Sequence, residues 1–348
     1  MPPLRRQLVS TSGGMNAPRA GDEAYIQFLL ATPDVASAAE AGRVQPAGPR
    51  APAHDAFTRL LSRLEPDPAD LWGEVRPLVT RAGGTLVVDD TVLDKPFARK
   101  MGLVGYHWSG RHQRVVRGIN LVTLAWTDGD AVYPADYRLV DPARAPKRTK
   151  NDLFRDMVAA AKSRGLAPSC VCFDSWYSGL DNLEAVRACG RRFLTQVRPN
   201  RRVDPDQSGN RAIAACDVAE SGTVVHLEGF GLVKAFRTVA RNGDAEHWVT
   251  DDLGMDGPGR VAQAERAWAI EEYHRGLKQC TEVDRCQARL ARSQVNHVGY
   301  ALRAFVRLEY RRFTTGVGWF EAKGDVIRGA VRAYLADPAY TLPKAATA

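Results

Sequence analysis

The sequence predicts an α/β protein built on a mixed sheet flanked by helices, with a helical segment before the sheet and a β-rich insertion within it. Three observations carry this. The hydrophobic period is helical over 22–80 and turns β-like at 83. The following stretch reads β-β-β-α-β-α-β, an order suited to a sheet with helices on its faces and not to a barrel or sandwich. Helical pattern then returns over 261–312, after a β-patterned run at 223–250.

Composition narrows the class. At 348 residues, 45% hydrophobic and 25% charged, the chain is an ordinary globular protein long enough to bury a full core. Its 48 Lys and Arg against 40 Asp and Glu leave +8, which suits a polyanionic partner without establishing one. The six cysteines have no Cys-x-x-Cys spacing, so they read as free thiols in a reducing compartment and not as zinc ligands. Arg5 and Arg6 are followed by no apolar run of signal-peptide type, and no run reaches the length of a membrane span. A cytoplasmic protein with no membrane partner is expected.

Residues 1–20 are rich in Ser, Gly, Pro and Arg without periodicity and read as disordered; Met15 is an alternative start. Over 21–80 the first helix carries Tyr25, Ile26, Phe28 and Leu29. Thr32-Pro33 reads as the N-cap of a second helix and Gly42 as its stop. Phe57, Leu60, Leu61 and Leu64 mark a third helix, and Asp67-Pro68 caps a fourth. This segment is either a helix-turn-helix-like DNA-binding unit or a plain bundle packed on the next domain. Residues 81–199 form the first part of a core. Its strands are 85–90, 118–126 and 131–140, the last two turned by Asp128-Gly129, and 169–174 and 192–197; its helices are 150–164 and 179–188. His107 and His112 bracket a loop after the first strand. Residues 200–255 read as a β-rich insertion, with Asn242-Gly243 as a type I′ hairpin turn. Residues 256–315 complete the core with helix throughout 261–312, where Val295, Val298, Leu302, Val306 and Leu308 mark a second packed helix, and 316–348 form a C-terminal tail with a weak helical pattern before its Ala/Pro end.

The chemistry concentrates in three places. Glu271, His274, Arg275 and Lys278 fall at i, i+3, i+4 and i+7 and share one helix face, with Gly276 the one residue against the helix. Alone, that face is equally a solvated surface laced by a Glu271–Arg275 pair. Upstream, two apolar runs close on aspartate: Thr85-Leu-Val-Val-Asp-Asp90 and Cys170-Val-Cys-Phe-Asp174. Carboxylates at neighbouring strand ends and on a packed helix can gather divalent cations for phosphodiester chemistry. Asp89 and Asp90 point to opposite strand faces, so one of them faces such a site. Basic clusters (Arg144, Lys147, Arg148, Lys150; Arg191, Arg192, Arg198, Arg201, Arg202; Arg303, Arg307, Arg311, Arg312) suit a phosphate track and equally a solvated face.

Val-Val-Asp-Asp-Thr (87–91), Phe-Asp-Ser-Trp-Tyr (173–177) and Ile-Glu-Glu-Tyr-His-Arg-Gly-Leu-Lys (270–278), taken in order, resemble the DDE-class bacterial insertion-sequence (cut-and-paste) transposases over roughly residues 20–312. The resemblance implies a ribonuclease H-like core and Mg²⁺-dependent cleavage at terminal inverted repeats, followed by 3′-hydroxyl strand transfer. Two Mg²⁺ ions are implied, with Mn²⁺ able to substitute. It assigns Asp90, which directly precedes Thr91, as first acid, Asp174 as second and Glu271 as third, with Lys278 on phosphate near the cut. Trp248 matches a tryptophan that in some members stacks on a flipped base, and reads equally as core of the insertion; Arg275 and Arg266 beside the third acid, and Arg148 and Lys150 of the first basic cluster, are the further candidate DNA contacts. At the positions before Glu271 where members often carry Tyr and Arg, this chain has Ala264 and Ala267, with Arg266 and Trp268 nearby to substitute. Double-stranded DNA and a homodimer bridging two ends are the implied partners, with the protein on the nucleoid when bound. A nuclease of the same core without transposition and an inactive DNA-binding regulator are the alternatives.

Overall fold

The structure is a computed structural model and describes residues 18–110, 112–240 and 243–340. Residues 1–17 of the expected disordered start (with Met15), the first residue of the Asn242-Gly243 turn and the end of the tail therefore lie outside the described residues. Ala20, placed at sequence level in the disordered start, is fully buried, and its carbonyl accepts from Arg63.

Runs of branched apolar residues buried on both faces build the sheet around β1 (Thr85–Asp94), whose first four residues are all buried. β1 pairs antiparallel with β3 (Arg114–Thr127), and β3 pairs antiparallel with β4 (Val132–Leu139). On its other edge β1 pairs parallel with β5 (Cys170–Phe173), which pairs parallel with β6 (Phe193–Val197). The order β4-β3-β1-β5-β6, with β3 alone antiparallel, is the ribonuclease H-like arrangement that the resemblance implied. The stretch read as a loop around His107 is instead β2 (Gly105–Ser109), a hairpin partner for the first residues of β3. Gly118 pairs with both Asp94 and Gly105, so β2 lies on the edge of β3 away from β1. The β-rich stretch adds β7 (Arg202–Asp204), β8 (Arg211–Ala212), β9 (Thr223–Leu227), β10 (Gly231–Val239) and β11 (Ala245–Thr250). β11 pairs antiparallel with β6, so the insertion continues the core sheet.

Four helices precede the sheet: α1 (Asp22–Ala31), α2 (Ala38–Arg43), α3 (His54–Arg63) and α4 (Pro68–Val75). Thr32 does not start α2 but ends α1, giving its N–H to the Phe28 carbonyl; α2 starts after Ser37, whose hydroxyl accepts from Glu40 N–H. Asp67 and Pro68 open α4 as expected. α5 (Lys150–Ser163), held by a Thr149–Asp152 capping box, and α6 (Leu180–Ala188) follow. α5 covers one sheet face, where Phe154 packs on Phe173. α7 (Gly257–Cys280) covers the other; its Gln263 accepts from Thr85 and from the Cys172 thiol.

The helical stretch 261–312 forms two helices, the second of them carrying the apolar pattern at Val295–Leu308. α7 stops at Cys280, Glu282 takes φ +56°, and α8 (Ala291–Thr315) starts afresh. Tertiary contact decides the break: buried Lys95 donates to the carbonyls of Asp284 and Cys286 inside the intervening turn. α8 packs against α1, α3, α4, α7 and β4. Arg303 and Arg307 of the third basic cluster are ion-paired with Asp22, Glu23 and Glu74, so they clasp α8 to α1 and α4. α9 (Trp319–Ala336) closes the chain. Among the described residues no helix is long and apolar enough to cross a membrane.

Candidate active site

Strand parity sorts the two adjacent aspartates. The β1–β5 register runs from Thr85 opposite Cys170 to Val88 opposite Phe173. One further step sets Asp89 beside Asp174, and residues opposed in a sheet share a face. Thr85, Val87 and Asp89 therefore look toward α7, together with Cys170, Cys172 and Asp174. Asp90 looks the other way, toward α5. There its carboxylate accepts from Lys150 Nζ (2.6 Å), Tyr177 OH (2.8 Å) and Asn120 Nδ2 (2.5 Å). The motif match at Asp90 thus falls on the aspartate whose oxygens are already engaged by protein.

Asp89 has a different environment. Among the described residues the basic atom paired with it is His274 Nδ1, at 3.6 Å. Burial holds the His274 imidazole down at about 3, with the Lys278 charge adding to it, so it faces Asp89 as a neutral ring. The Asp89 carboxyl is pushed well above the usual carboxylate range by burial first, then by the charges of Asp90, Asp174 and Glu271. Asp174 is raised by its surroundings first and by Asp90 second, although it stands exposed and one of its oxygens accepts the Trp176 N–H.

These acids open on one cleft of about 690 Å³. It is lined by Asp89, Asp90, Asp174 and Glu271, by Lys150, His274, Arg275 and Lys278, and by Trp108 and Trp176. The four α7 residues at i, i+3, i+4 and i+7 all reach it, so the amphipathic reading holds in space. Arg275 pairs with Glu272, not with Glu271. Lys278 donates to the Val92 carbonyl from the cleft wall.

The donor set suits divalent cations: hard carboxylate oxygens on two strand ends and a helix, where the charges that help raise Asp89 and Asp174 would be relieved by positive charge. Asp89, Asp174 and Glu271 are the residues that would hold them. Among the described residues no three such side chains are already drawn round a single metal position.

The remaining sequence expectations divide. Lys150 lies in the cleft, 4.6 Å from the Trp176 ring centre. Arg148, just before α5, is ion-paired with Asp156 of that helix, and Arg266 rests against the Gly129 turn at the other end of β1. Neither lines the cleft, and neither does Trp248. Trp248 is half-buried in β11, with the Arg260 guanidinium 5.7 Å from its ring centre. His112 pairs with Asp94, and His107 packs near Lys150 with its Nε2 buried and unpartnered among the described residues. Sequence reasoning did not single out Trp108, Trp176 or Asn120. The signal for Asp89 was present: Thr85–Val88 and Cys170–Phe173 are apolar runs of equal length, each followed at once by aspartate.

Among the solved structures that resemble the chain are two transposase complexes. One is a piggyBac transposase synaptic complex with hairpin DNA, with 10% identity and TM-score 0.48 over 95% of this chain and 77% of that one. The other is the Drosophila P element transposase strand transfer complex, with 8% identity and TM-score 0.27 over 94% and 89%. No curated protein matches. A family model described as DDE superfamily endonuclease matches residues 19–212, more than half of the chain, taking in Asp89, Asp90 and Asp174 and ending before Glu271. With that match over its helical start and first core strands, the chain belongs to the DDE superfamily endonucleases.

Proposed function

We propose that the chain is a DNA transposase that cuts at the ends of a mobile element and joins the freed 3′ hydroxyl to target DNA, with Asp89, Asp174 and Glu271 as its acidic triad. The observation that carries this reading is the β1–β5 register, which turns Asp89 and Asp174 to the face on which α7 presents Glu271 to the same cleft. Two Mg²⁺ ions held by these carboxylates, or Mn²⁺ in their place, would supply Lewis-acid stabilisation of an in-line phosphoryl displacement. The chain's own residues do the positioning. Lys278 and Arg275 offer cationic heads beside the acids, where a strand's phosphates would sit. The Lys150–Asp90 pair, with Tyr177 and Asn120, fixes β1 from its α5 side so that Asp89 is held toward α7. Two copies bridging two DNA ends belong to the same reading.

The test is plasmid nicking with added Mg²⁺ or Mn²⁺, followed by joining of an oligonucleotide with a recessed 3′ hydroxyl to plasmid. Asp89→Asn, Asp174→Asn and Glu271→Gln are each expected to lower the nicking rate by about a thousandfold, roughly 4 kcal/mol of barrier. Asp90→Asn is expected to retain measurable metal-dependent nicking. Full nicking by all three triad variants overturns the nuclease reading. Loss in Asp90→Asn with full activity in Asp89→Asn returns the first acid to Asp90. Nicking without joining reduces the transposase to a nuclease.

A further inference from the structure

The β2–β3 hairpin carries an aromatic face that the acidic triad leaves unused. Tyr106 and Trp108 are 77% and 57% exposed, although both belong to a strand paired along its length. Alternation puts them on one face, and the antiparallel register adds Val115 opposite Trp108 and Arg117 opposite Tyr106. Val115 is also exposed, at 59%. Along β3 the same parity leads from 115 and 117 to Thr123, the partner of Asp89. The aromatic face is therefore the face that carries Asp89, and Trp108 itself lines the acidic cleft beside Lys278 and Arg275.

Large aromatics standing open on a sheet call for an occupant. A sheet face with exposed rings and neighbouring cations suits nucleic acid: rings stack on bases, which all present a π-face, and cations meet phosphates. Spacing narrows the form. Residues i and i+2 of a strand stand about 6.6 Å apart, near twice the ~3.4 Å step between nucleotides of a stacked strand. A base laid on each ring thus belongs to a strand whose own stacking is open.

We propose that the Tyr106–Trp108 face binds unpaired nucleobases of a DNA strand running into the acidic cleft, so that the site takes a locally opened duplex. The proposal rests on the nuclease reading for the identity of the polymer, and Arg117, Lys278 and Arg275 around the rings favour a polyanion over an apolar partner.

The test is fluorescence anisotropy of the full chain in chelator, so that nothing is cut, with a labelled oligo-dT strand and a labelled blunt mixed-sequence duplex as probes. Trp108→Ala is expected to weaken oligo-dT binding about tenfold and the Tyr106→Ala/Trp108→Ala pair about a hundredfold. Trp108→Phe is expected to restore most of the affinity, with duplex binding changed less than about threefold throughout. Unchanged oligo-dT affinity in a double variant with native circular dichroism overturns the proposal, as does an equal loss on both probes. A double variant that passes from dimer to monomer while keeping its oligo-dT affinity assigns the face to self-association instead. If wild-type protein nicks plasmid while the rings prove dispensable, this inference alone fails; if wild-type protein binds neither probe, the nuclease reading fails with it.

Discussion

Asp89 and Asp90 are chemically identical neighbours whose surroundings give them opposite tasks. Asp90 is compensated by a lysine, a phenol and an amide, so its charge helps hold the fold. Asp89 is crowded by three carboxylates and, among the described residues, is met by a neutral imidazole at 3.6 Å, so its charge opposes the fold. Sites that gather like charge commonly trade stability for function. In metal-free buffer Asp89→Asn should raise the melting temperature by about 2 °C, since removing repulsion of order 1 kcal/mol moves a chain of this size by a few degrees. Asp90→Asn should lower it, because Lys150 loses its partner at a cost of about 1–3 kcal/mol. Differential scanning calorimetry of the two variants in chelator checks both signs, and the opposite order would reverse their roles.

At the scale of the element, α7 must lie close to both the sheet and the following helices. Its sequence shows which side chains share a face; it does not show why a glycine sits in the middle of a helix. Gly276 is where Trp319 and Phe305 close in: a Cβ there would stand 2.6 Å from the indole and 3.0 Å from the phenyl ring. Gly276→Ala gains helix propensity of about 1 kcal/mol but overpacks this contact by about 1–3 kcal/mol. The expected net result is a lower urea midpoint with an unchanged m-value; a higher midpoint would mean that Trp319 yields freely. The turn after α7 is similar: nothing local in 281–290 ends the helical pattern decisively, whereas the carbonyls presented to buried Lys95 do.

At the scale of the molecule, one buried chain of hydrogen bonds ties the helical start to the core. His297 of α8 is fully buried between the Tyr25 hydroxyl of α1 and the Glu282 carbonyl, and the Glu282 carboxylate pairs with Lys323 of α9. A carbonyl accepts only, so Nε2 carries the proton and Nδ1 accepts from Tyr25. Burial pushes His297 down from 6.5 to about 4. The native ring stays neutral while the unfolded ring takes a proton below about 6.5, so the contribution is complete above that pH and drains away as pH falls toward 4. At 1.36 kcal/mol per unit the loss is about 3 kcal/mol. Urea unfolding from pH 7 to pH 4 should show this slope in wild type and lack it in His297→Asn; equal slopes would remove His297 as its source.

By itself the sequence determined the α/β class, most strand and helix positions, the face shared by Glu271, His274, Arg275 and Lys278, and the convergence of two strand-end acids with a helix acid, because period and motif are local properties of the chain. The tertiary structure decided that Asp89 faces α7 while Asp90 faces α5, where α7 ends, that the β-rich stretch continues the core sheet, and that Trp108 rather than Trp248 lines the acids. The end of α7 depends on Lys95, distant in sequence, reaching the turn carbonyls; the others depend on pairing between strands, where a shift of one residue sends a side chain to the opposite face.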